Sequence, residues 1–323
     1  MEKDKLFKLI KVKLPKNVSF IEEISDVLNI SYDASYRRVK GKTVLSLKEG
    51  VLLSNYYNIN LNDVSVSIDK KPEKIIVEKS HHIISDNFLH TFFDKAEIET
   101  QKVLNSKKGL IINSAKDFAF YHVDNGVLKK FKLFLFINVL SKNKELKKTT
   151  FNNFNPSEDI LVKYNTFIDQ YRKVSLIEIW NDTTIDNILN QIKYFFDVGL
   201  TTKKEATSIA NGLIEVLQKI ELQAKNKIRD ESSGSFHLYH NNLISLLNTI
   251  VMKTDVDKSV FVPFTNLSYF KVTDKNTTDQ IEEHLKTQLE FSNNLSGNAA
   301  VDRKKFFTSM YQKIDNLKVQ IYF

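Results

Sequence analysis

Short, closely spaced helices in the first 64 residues constrain the fold of this chain more than any other sequence feature. Two Ser-x-x-Glu patterns, Ser19 to Glu22 and Ser46 to Glu49, each open an apolar run. In such a capping box the serine and the glutamate bind backbone N–H groups that the first turn of a helix leaves free. The two patterns therefore indicate helix starts and predict a head of short helices joined by tight turns.

Apolar spacing and stop residues give the approximate bounds of these helices. Pro15 closes the first helix, and Gly41 stops the third. Charge rises and the helical period is lost over residues 65–80, which predicts a linker. We expect four helices in the head, at residues 5–13, 19–29, 31–40 and 46–59.

The remainder of the chain reads as a larger helical domain. Helical periodicity extends from about residue 81 to about residue 220, and two further helices close the chain. Between them NTIVMKT, SVFVPF and YFKVT are short, rich in β-branched and aromatic residues, and separated by turn-like segments. We therefore predict a mainly α protein: a head at 1–64, a linker at 65–80, and a helical domain at 81–323 with a small antiparallel β-meander near 248–273.

The position of the basic residues says more about function than the net charge of the chain does. The chain of 323 residues has net charge +8, but only five of its 47 basic residues are Arg, which indicates a general bias toward Lys. Two of those five, Arg37 and Arg38, are adjacent and lie close to Lys40 and Lys42. This basic segment coincides with the third predicted helix.

Two short helices joined by a tight turn, the second polar and basic, form the architecture of helix-turn-helix proteins. The stretch FIEEISDVLNISYDASYRRVKGKTVLSLKEGVLLSNYYNINLNDV resembles the xenobiotic-response-element, or lambda-repressor-like, helix-turn-helix family. The shared pattern is a helix ending in L-x-I, a Ser that opens the recognition helix, an Arg six residues on, a closing basic residue and Gly, an S-L-x-x helix and an NINLNDV-type tail. Over about residues 3–64 the resemblance implies a DNA-binding head with a recognition helix at 31–40. Ser35 and Arg38 stand where the family has apolar residues, which leaves a rotated helix or a one-residue register shift open.

Base edges are read by the N-terminal half of a recognition helix, and phosphates by donors around it. An Arg there can present two parallel donors to guanine. The open alternative is that these charges are a solvated helix face and that the four helices belong to a larger core. We expect base contacts from Tyr32, Asp33, Tyr36 and Arg37, and DNA-backbone contacts from Ser19, Arg38, Lys40 and Lys42.

The larger domain also carries a resemblance. The order of KDFAFYH, FKLFLF, the Tyr171 to Trp180 segment and RKKFF is similar to the C-terminal region of uncharacterised helix-turn-helix regulators from Bacteroidetes. This resemblance implies a transcription regulator, and it assigns no catalytic residues to the region. One head reads one half-site, so we expect a homodimer. Apolar stripes at residues 209–222 and 306–314 are candidates for its interface, although an intramolecular core is the favoured interpretation of both.

Catalytic and metal-binding motifs are missing from the sequence. There is no cysteine, no phosphate-binding glycine loop, no nucleophile elbow and no zinc-protease helix. His237 with His240, the adjacent His81 and His82, and Glu178 with Asp182 beside Trp180 are each better explained as ordinary structural residues. We therefore predict no metal, no cofactor and no enzymatic activity. Six aromatic residues of the larger domain are best explained as core, and a pocket that senses a ligand is the alternative. They are Phe118, Phe120, Tyr121, Phe131, Phe134 and Phe136.

These observations favour a sequence-specific DNA-binding transcription regulator. Its expected partners are double-stranded DNA, a second copy of the chain and an unknown small-molecule or protein effector. The sequence carries no signal-peptide pattern and no membrane span, so a cytoplasmic location is expected. The alternative is a protein-interaction or scaffold module whose N-terminal helices bind protein, and an unrecognised enzyme in the large domain ranks third.

Overall fold

The computed structural model describes residues 2–15, 18–59, 61–64, 75–80, 87–141, 148–229 and 234–322. The chain divides into two compact units, Met1–Ile76 and Val77–Phe323. Each unit encloses its own cluster of buried apolar side chains. Most of the expected linker lies outside the described residues, as do His81 and His82, and the end of that linker contains a strand at Val77–Lys79.

The first unit is a bundle of short helices. Ile10, Ile24 and Leu53, from three different helices, are fully buried at its centre. The second Ser-x-x-Glu pattern forms its full capping box, because Ser46 and Glu49 bind each other's backbone N–H groups. Ser19 is also an N-cap, but its side chain makes no capping bond, so the first predicted box is wrong. The described helices of this unit are α1 (Glu2–Lys13), α2 (Phe20–Leu28), α3 (Tyr32–Val39), α4 (Leu47–Tyr56) and α5 (Leu61–Val64).

The second unit is built on an eight-stranded mixed sheet with the order β1-β7-β6-β5-β2-β3-β4-β8. β2, β3 and β4 are parallel neighbours, and the remaining pairings are antiparallel. The strands are β1 (Val77–Lys79), β2 (Leu110–Ser114), β3 (Ser175–Trp180), β4 (Phe236–His240), β5 (Thr249–Lys253), β6 (Lys258–Thr265), β7 (Ser268–Val272) and β8 (Asn293–Asn294).

Helices connect the parallel strands and cover the sheet. α7 and α8 join β2 to β3, and α9 and α10 join β3 to β4, as expected for parallel neighbours, which need long crossover connections. None of the described helices combines the length and the apolar composition that a bilayer-spanning helix requires. The helices of this unit are α6 (Phe88–Leu104), α7 (Gly126–Leu140), α8 (Glu158–Lys173), α9 (Asp186–Asp197), α10 (Lys203–Asn226), α11 (Lys275–Glu290) and α12 (Ala300–Tyr322).

The predicted fold class, mainly α with a small β-meander, is wrong. The meander exists as β5, β6 and β7, but it is one half of a sheet whose other half includes the parallel strands β2, β3 and β4. Parallel strands are buried on both faces and read as short apolar runs without alternation. The runs LIINS and SLIEIW are of this kind, and periodicity alone does not separate them from buried helix. The second unit is therefore an α/β fold.

Cross-strand register fixes which residues share a face of this sheet. Asn113 on β2 pairs with Glu178 on β3 and with Ile250 on β5. Ile250 in turn pairs with Phe261, which pairs with Lys271. Paired residues point to the same side of a sheet. One face of the sheet thus carries a row that runs from a buried carboxylate, through an amide, to an apolar segment.

Candidate nucleic-acid interface

The turn between α2 and α3 is fixed by local hydrogen bonds. Asn29 ends α2 in the left-handed conformation, with φ of 52°, which asparagine tolerates better than most residues. The Ser25 hydroxyl donates to the Ile30 carbonyl at 2.6 Å. Ser31 is the N-cap of α3, and its side-chain oxygen accepts from the Ala34 N–H at 3.3 Å. These contacts set the start and the direction of α3.

The inner face of α3 contains an unexpected polar residue. Ser35 is fully buried, and its hydroxyl donates to the Ile21 carbonyl of α2 at 2.8 Å. Ala34 and Val39 flank it and are half-buried. A hydrogen bond therefore docks α3 on α2 where the resembled family has an apolar contact.

The outer face of α3 holds the residues predicted to contact bases. Tyr32, Asp33, Tyr36 and Arg37 are all exposed, at positions that recur with the helical period. Lys40 and Lys42 are exposed as well, and their ammonium groups lie 5.9 and 5.8 Å from the centre of the Tyr36 ring. Aromatic and basic groups thus share one surface, which is the composition that nucleic-acid interfaces use. The base contacts themselves stay a prediction.

Arg38 is engaged inside the first unit. Its Nε and Nη2 atoms both lie 2.8 Å from Glu49 Oε1, and Nη1 donates to the Ala34 carbonyl at 3.1 Å. Burial opposes the charged form of Glu49, but the bonds from Arg38 and Ser46 hold the pKa of this carboxyl below its usual value. The guanidinium thereby ties α3 to α4, so a phosphate would have to compete with Glu49 for it. Ser19, by contrast, is exposed at the start of α2.

The apolar stripes considered for dimerisation lie within the second unit's own core. On α10 Ile209, Leu213 and Leu217 are fully buried, and on α12 Phe307 and Met310 are fully buried. The favoured interpretation as core holds for these residues, while Leu222, at the end of the α10 stripe, is 54% exposed. The expectation of a homodimer stays untested.

A cluster of buried polar side chains lies at the centre of the second unit. Glu178 is fully buried; its Oε2 lies 2.6 Å from His122 Nε2, and its Oε1 accepts from the Tyr121 hydroxyl. The Asn113 amide nitrogen donates to the Tyr121 oxygen and, at 3.3 Å, to Glu178 Oε1. Arg229 donates to the Tyr171 carbonyl at 2.6 Å and lies 5.5 Å from the centre of the Tyr121 ring.

Electrostatics explain how this cluster tolerates its charges. Burial works against a charged carboxylate, yet the contacts from His122 and Tyr121 hold the pKa of Glu178 below its usual value. Burial and the neighbouring Glu178 raise the pKa of Tyr121, so its phenol keeps the proton that it donates. A buried charge that is hydrogen-bonded on several sides is a stable element of a core.

Among the other candidate residues of the sequence, the structure brings His240 together with Asp182. His240 Nε2 lies 2.8 Å from Asp182 Oδ1, whereas the neighbouring strand residue His237 makes no contact with that pair. No group of three metal-binding side chains occurs within the described ranges. Five members of the aromatic set belong to the buried core, and Phe136 packs against it. Four of the six, Phe118, Phe120, Tyr121 and Phe136, also line a cavity.

Several polar residues of the second unit escaped the sequence analysis. Asn113, His122, Lys132 and Arg229 are all buried there. Asn113 and Lys132 are single polar residues inside the apolar runs LIINS and FKLFLF, as Glu178 is inside SLIEIW. That isolation was the available signal, because a lone polar residue in a buried run requires a specific partner.

Comparisons of the chain with protein-family models, with curated proteins and with solved structures return no match. Function is therefore inferred from the geometry of α3 and from the helix-turn-helix resemblance of residues 3–64.

Proposed function

We propose that the protein is a sequence-specific DNA-binding transcription regulator whose α3 enters the major groove. The observation that carries the proposal is the outer face of α3, where Tyr32, Asp33, Tyr36 and Arg37 are exposed together after a tight turn from α2. An α-helix presented in this way fits the width of the major groove. DNA as the partner makes the cytoplasm of a bacterial cell the expected location.

Affinity and sequence choice come from different residues in this mechanism. Ser19, Lys40 and Lys42 neutralise or bind phosphates, which supplies affinity without base preference. Arg37 presents its guanidinium to a guanine, and no described residue holds that group inside the protein. Two copies reading adjacent half-sites would give the affinity that a single head lacks. The second unit then contributes the dimer contacts or responds to an effector.

The test is selection of random duplex DNA by the full-length protein at near-physiological salt, followed by binding of the enriched site. Arg37→Ala should weaken binding by about 1–3 kcal/mol and relax base choice at the position that Arg37 reads. Lys40→Ala should weaken binding to all sequences alike and reduce the salt dependence.

Lys8→Ala is the matched control, because it removes an exposed positive charge of α1 in the same unit. It should leave base preference unchanged. An unaltered preference at every position of the site in Arg37→Ala would refute the assignment of Arg37. Absence of any enriched sequence, with the protein folded, would refute the proposal as a whole.

A second candidate function, a protein-interaction module, is favoured by one surface. Leu47 is 81% exposed and Val44 is 87% exposed, and Val51, one turn after Leu47 on α4, is 38% exposed. Exposed apolar residues that cluster mark protein-binding surfaces. Leu47→Lys should abolish association in this case and leave selected DNA binding intact if α3 is the functional surface.

A further inference from the structure

A cavity of about 770 Å³ lies in the second unit between α6 and the face of the sheet that carries Asn113. Its described lining includes many aromatic side chains, among them Phe92, Phe118, Phe120, Phe136, Phe167 and Phe261. Small-molecule sites have volumes of this order and combine apolar walls with a few placed polar groups. The polar groups of this cavity define what it would bind.

Lys132 of α7 supplies a buried positive charge to the cavity wall. Its residue exposure is 6%, and its ammonium donates one hydrogen bond, to the Phe118 carbonyl at 3.3 Å. An ammonium has three donors, and no second hydrogen-bond acceptor for this one occurs among the described residues. The ammonium also lies 5.7 Å from the centre of the Phe120 ring, which is a weaker partner than an anion. Burial lowers the pKa of Lys132 to about 8, against the opposing effect of Asp117, so the group still carries its charge at pH 7.

Asp117 does not neutralise Lys132 by direct contact. Its two carboxylate oxygens accept from the side-chain amides of Asn187 and Asn248, the latter at 2.7 Å. Asp117 acts on Lys132 through its charge alone, since no hydrogen bond joins the two among the described residues. Buried charges are normally paired, so an anion in the cavity is the group that would complete the contacts of Lys132.

Asn113 adds a hydrogen-bond acceptor that lacks a donor, whereas Lys132 has donors that lack acceptors. Asn113 is 4% exposed and lines the cavity; its amide nitrogen is used toward Tyr121 and Glu178, while its Oδ1 is buried without a donor. A buried acceptor without a partner is costly. The buried part of the wall thus offers one cation, Lys132, and an unpartnered acceptor, Asn113 Oδ1. Other polar residues also line the cavity, among them Lys95, Glu99, Asp117, Gln191 and Lys271, and Gln191 Oε1 is a second buried acceptor without a partner.

We propose that this cavity binds a largely apolar monocarboxylic acid that carries one hydroxyl group. The carboxylate pairs with Lys132, the hydroxyl donates to Asn113 Oδ1, and the apolar body lies against the aromatic side chains. The proposal rests on the second unit alone and does not depend on DNA binding.

The test is calorimetric titration of the full-length protein with 6-hydroxy-2-naphthoate and with 10-hydroxydecanoate. At least one of the two should bind more than tenfold tighter than its neutral amide, and more tightly than its analogue without the hydroxyl group. Lys132→Met should remove the preference for acid over amide. Lys130→Met is the matched control: it makes the same change on the same helix at a residue outside the cavity lining, and should preserve the preference.

The comparison of acid with amide uses the unmodified protein, so it remains decisive even if Lys132→Met does not fold. Failure of both acids to bind at 1 mM would overturn the proposal. Equal binding of acid and amide to the unmodified protein would also overturn it, because Lys132 would then select nothing.

Discussion

Glu178 carries a negative charge in the middle of a core because three neighbouring side chains make the hydrogen bonds that water would make to an exposed carboxylate. His122 contacts one carboxylate oxygen, and Tyr121 and Asn113 donate to the other. Removing one partner of such a buried pair leaves the other charge or donor uncompensated, which is costly. The same contacts keep the pKa of Glu178 below its usual value, against the effect of burial.

Glu178→Gln should therefore destabilise the protein by about 3 kcal/mol at pH 7. The pKa of this carboxyl is lower in the folded than in the unfolded chain, so its stabilisation is complete above the unfolded value and is lost as the pH falls through the folded one. The deficit of the variant should accordingly shrink below about pH 4. Urea denaturation at pH 7 and at pH 3.5 measures both quantities. Glu283→Gln, at an exposed residue of the same unit, should change neither.

Residue-scale prediction from the sequence was limited to what local spacing determines. The outer positions of α3 follow from helical spacing, which places 32, 33, 36 and 37 on one side whatever they touch. Partners far apart in sequence do not follow from spacing. The ion pair of Arg38 with Glu49 was not expected, and neither was the contact of Glu178 with His122, which requires β3 to lie beside β2. The phosphate contact of Arg38 stays a prediction.

At the scale of elements, the two similar helix starts of the first unit differ in their bonding. Ser46 and Glu49 form both bonds of a capping box, whereas the Ser19 side chain makes no capping bond. Both serines are exposed N-caps, and each is followed three residues later by a glutamate. A cap stabilises a helix only through the bond that it makes, so the two sites form a natural pair for comparison.

Ser46→Ala should lower the stability of the first unit by about 1 kcal/mol, and Ser19→Ala by only a few tenths. Hydrogen exchange at the amides of α4 and α2 in the full-length protein reports each effect locally. Ser19→Ala has a second use, because a phosphate contact of this residue would appear as weaker DNA binding without lost stability. Equal destabilisation by the two substitutions would contradict the assigned bonding.

Prediction of elements depended on whether their pattern was local. Four of the five described helices of the first unit could be predicted because turn residues and apolar spacing indicate their approximate boundaries, whereas the short α5 at Leu61–Val64 was not expected. In the second unit β3 begins at Ser175, directly after α8 ends at Lys173, so two elements read as one apolar segment. The meander strands alternate with turn residues and were found, but their pairing with β2 joins positions more than a hundred residues apart.

On the scale of the whole molecule, the chain contains two separate apolar cores. Ile24 lies at the centre of the first, with Leu6, Ile10 and Leu53. Leu217 lies in the second, and both residues are fully buried. No buried residue among those that the structure describes belongs to both clusters. Cooperative unfolding follows a shared core, so each unit should open on its own.

Ile24→Ala should therefore cost the first unit about 2–5 kcal/mol and leave the second unchanged. Hydrogen exchange of the full-length protein should accelerate in peptides from residues 2–59 and stay constant in α10. Leu217→Ala is the reciprocal variant: exchange should become faster in α10 and stay unchanged in α2. Faster exchange in both units after either substitution would mean that they unfold as one. Separate unfolding would instead allow DNA binding and acid binding to be measured independently in a single chain, one on each unit.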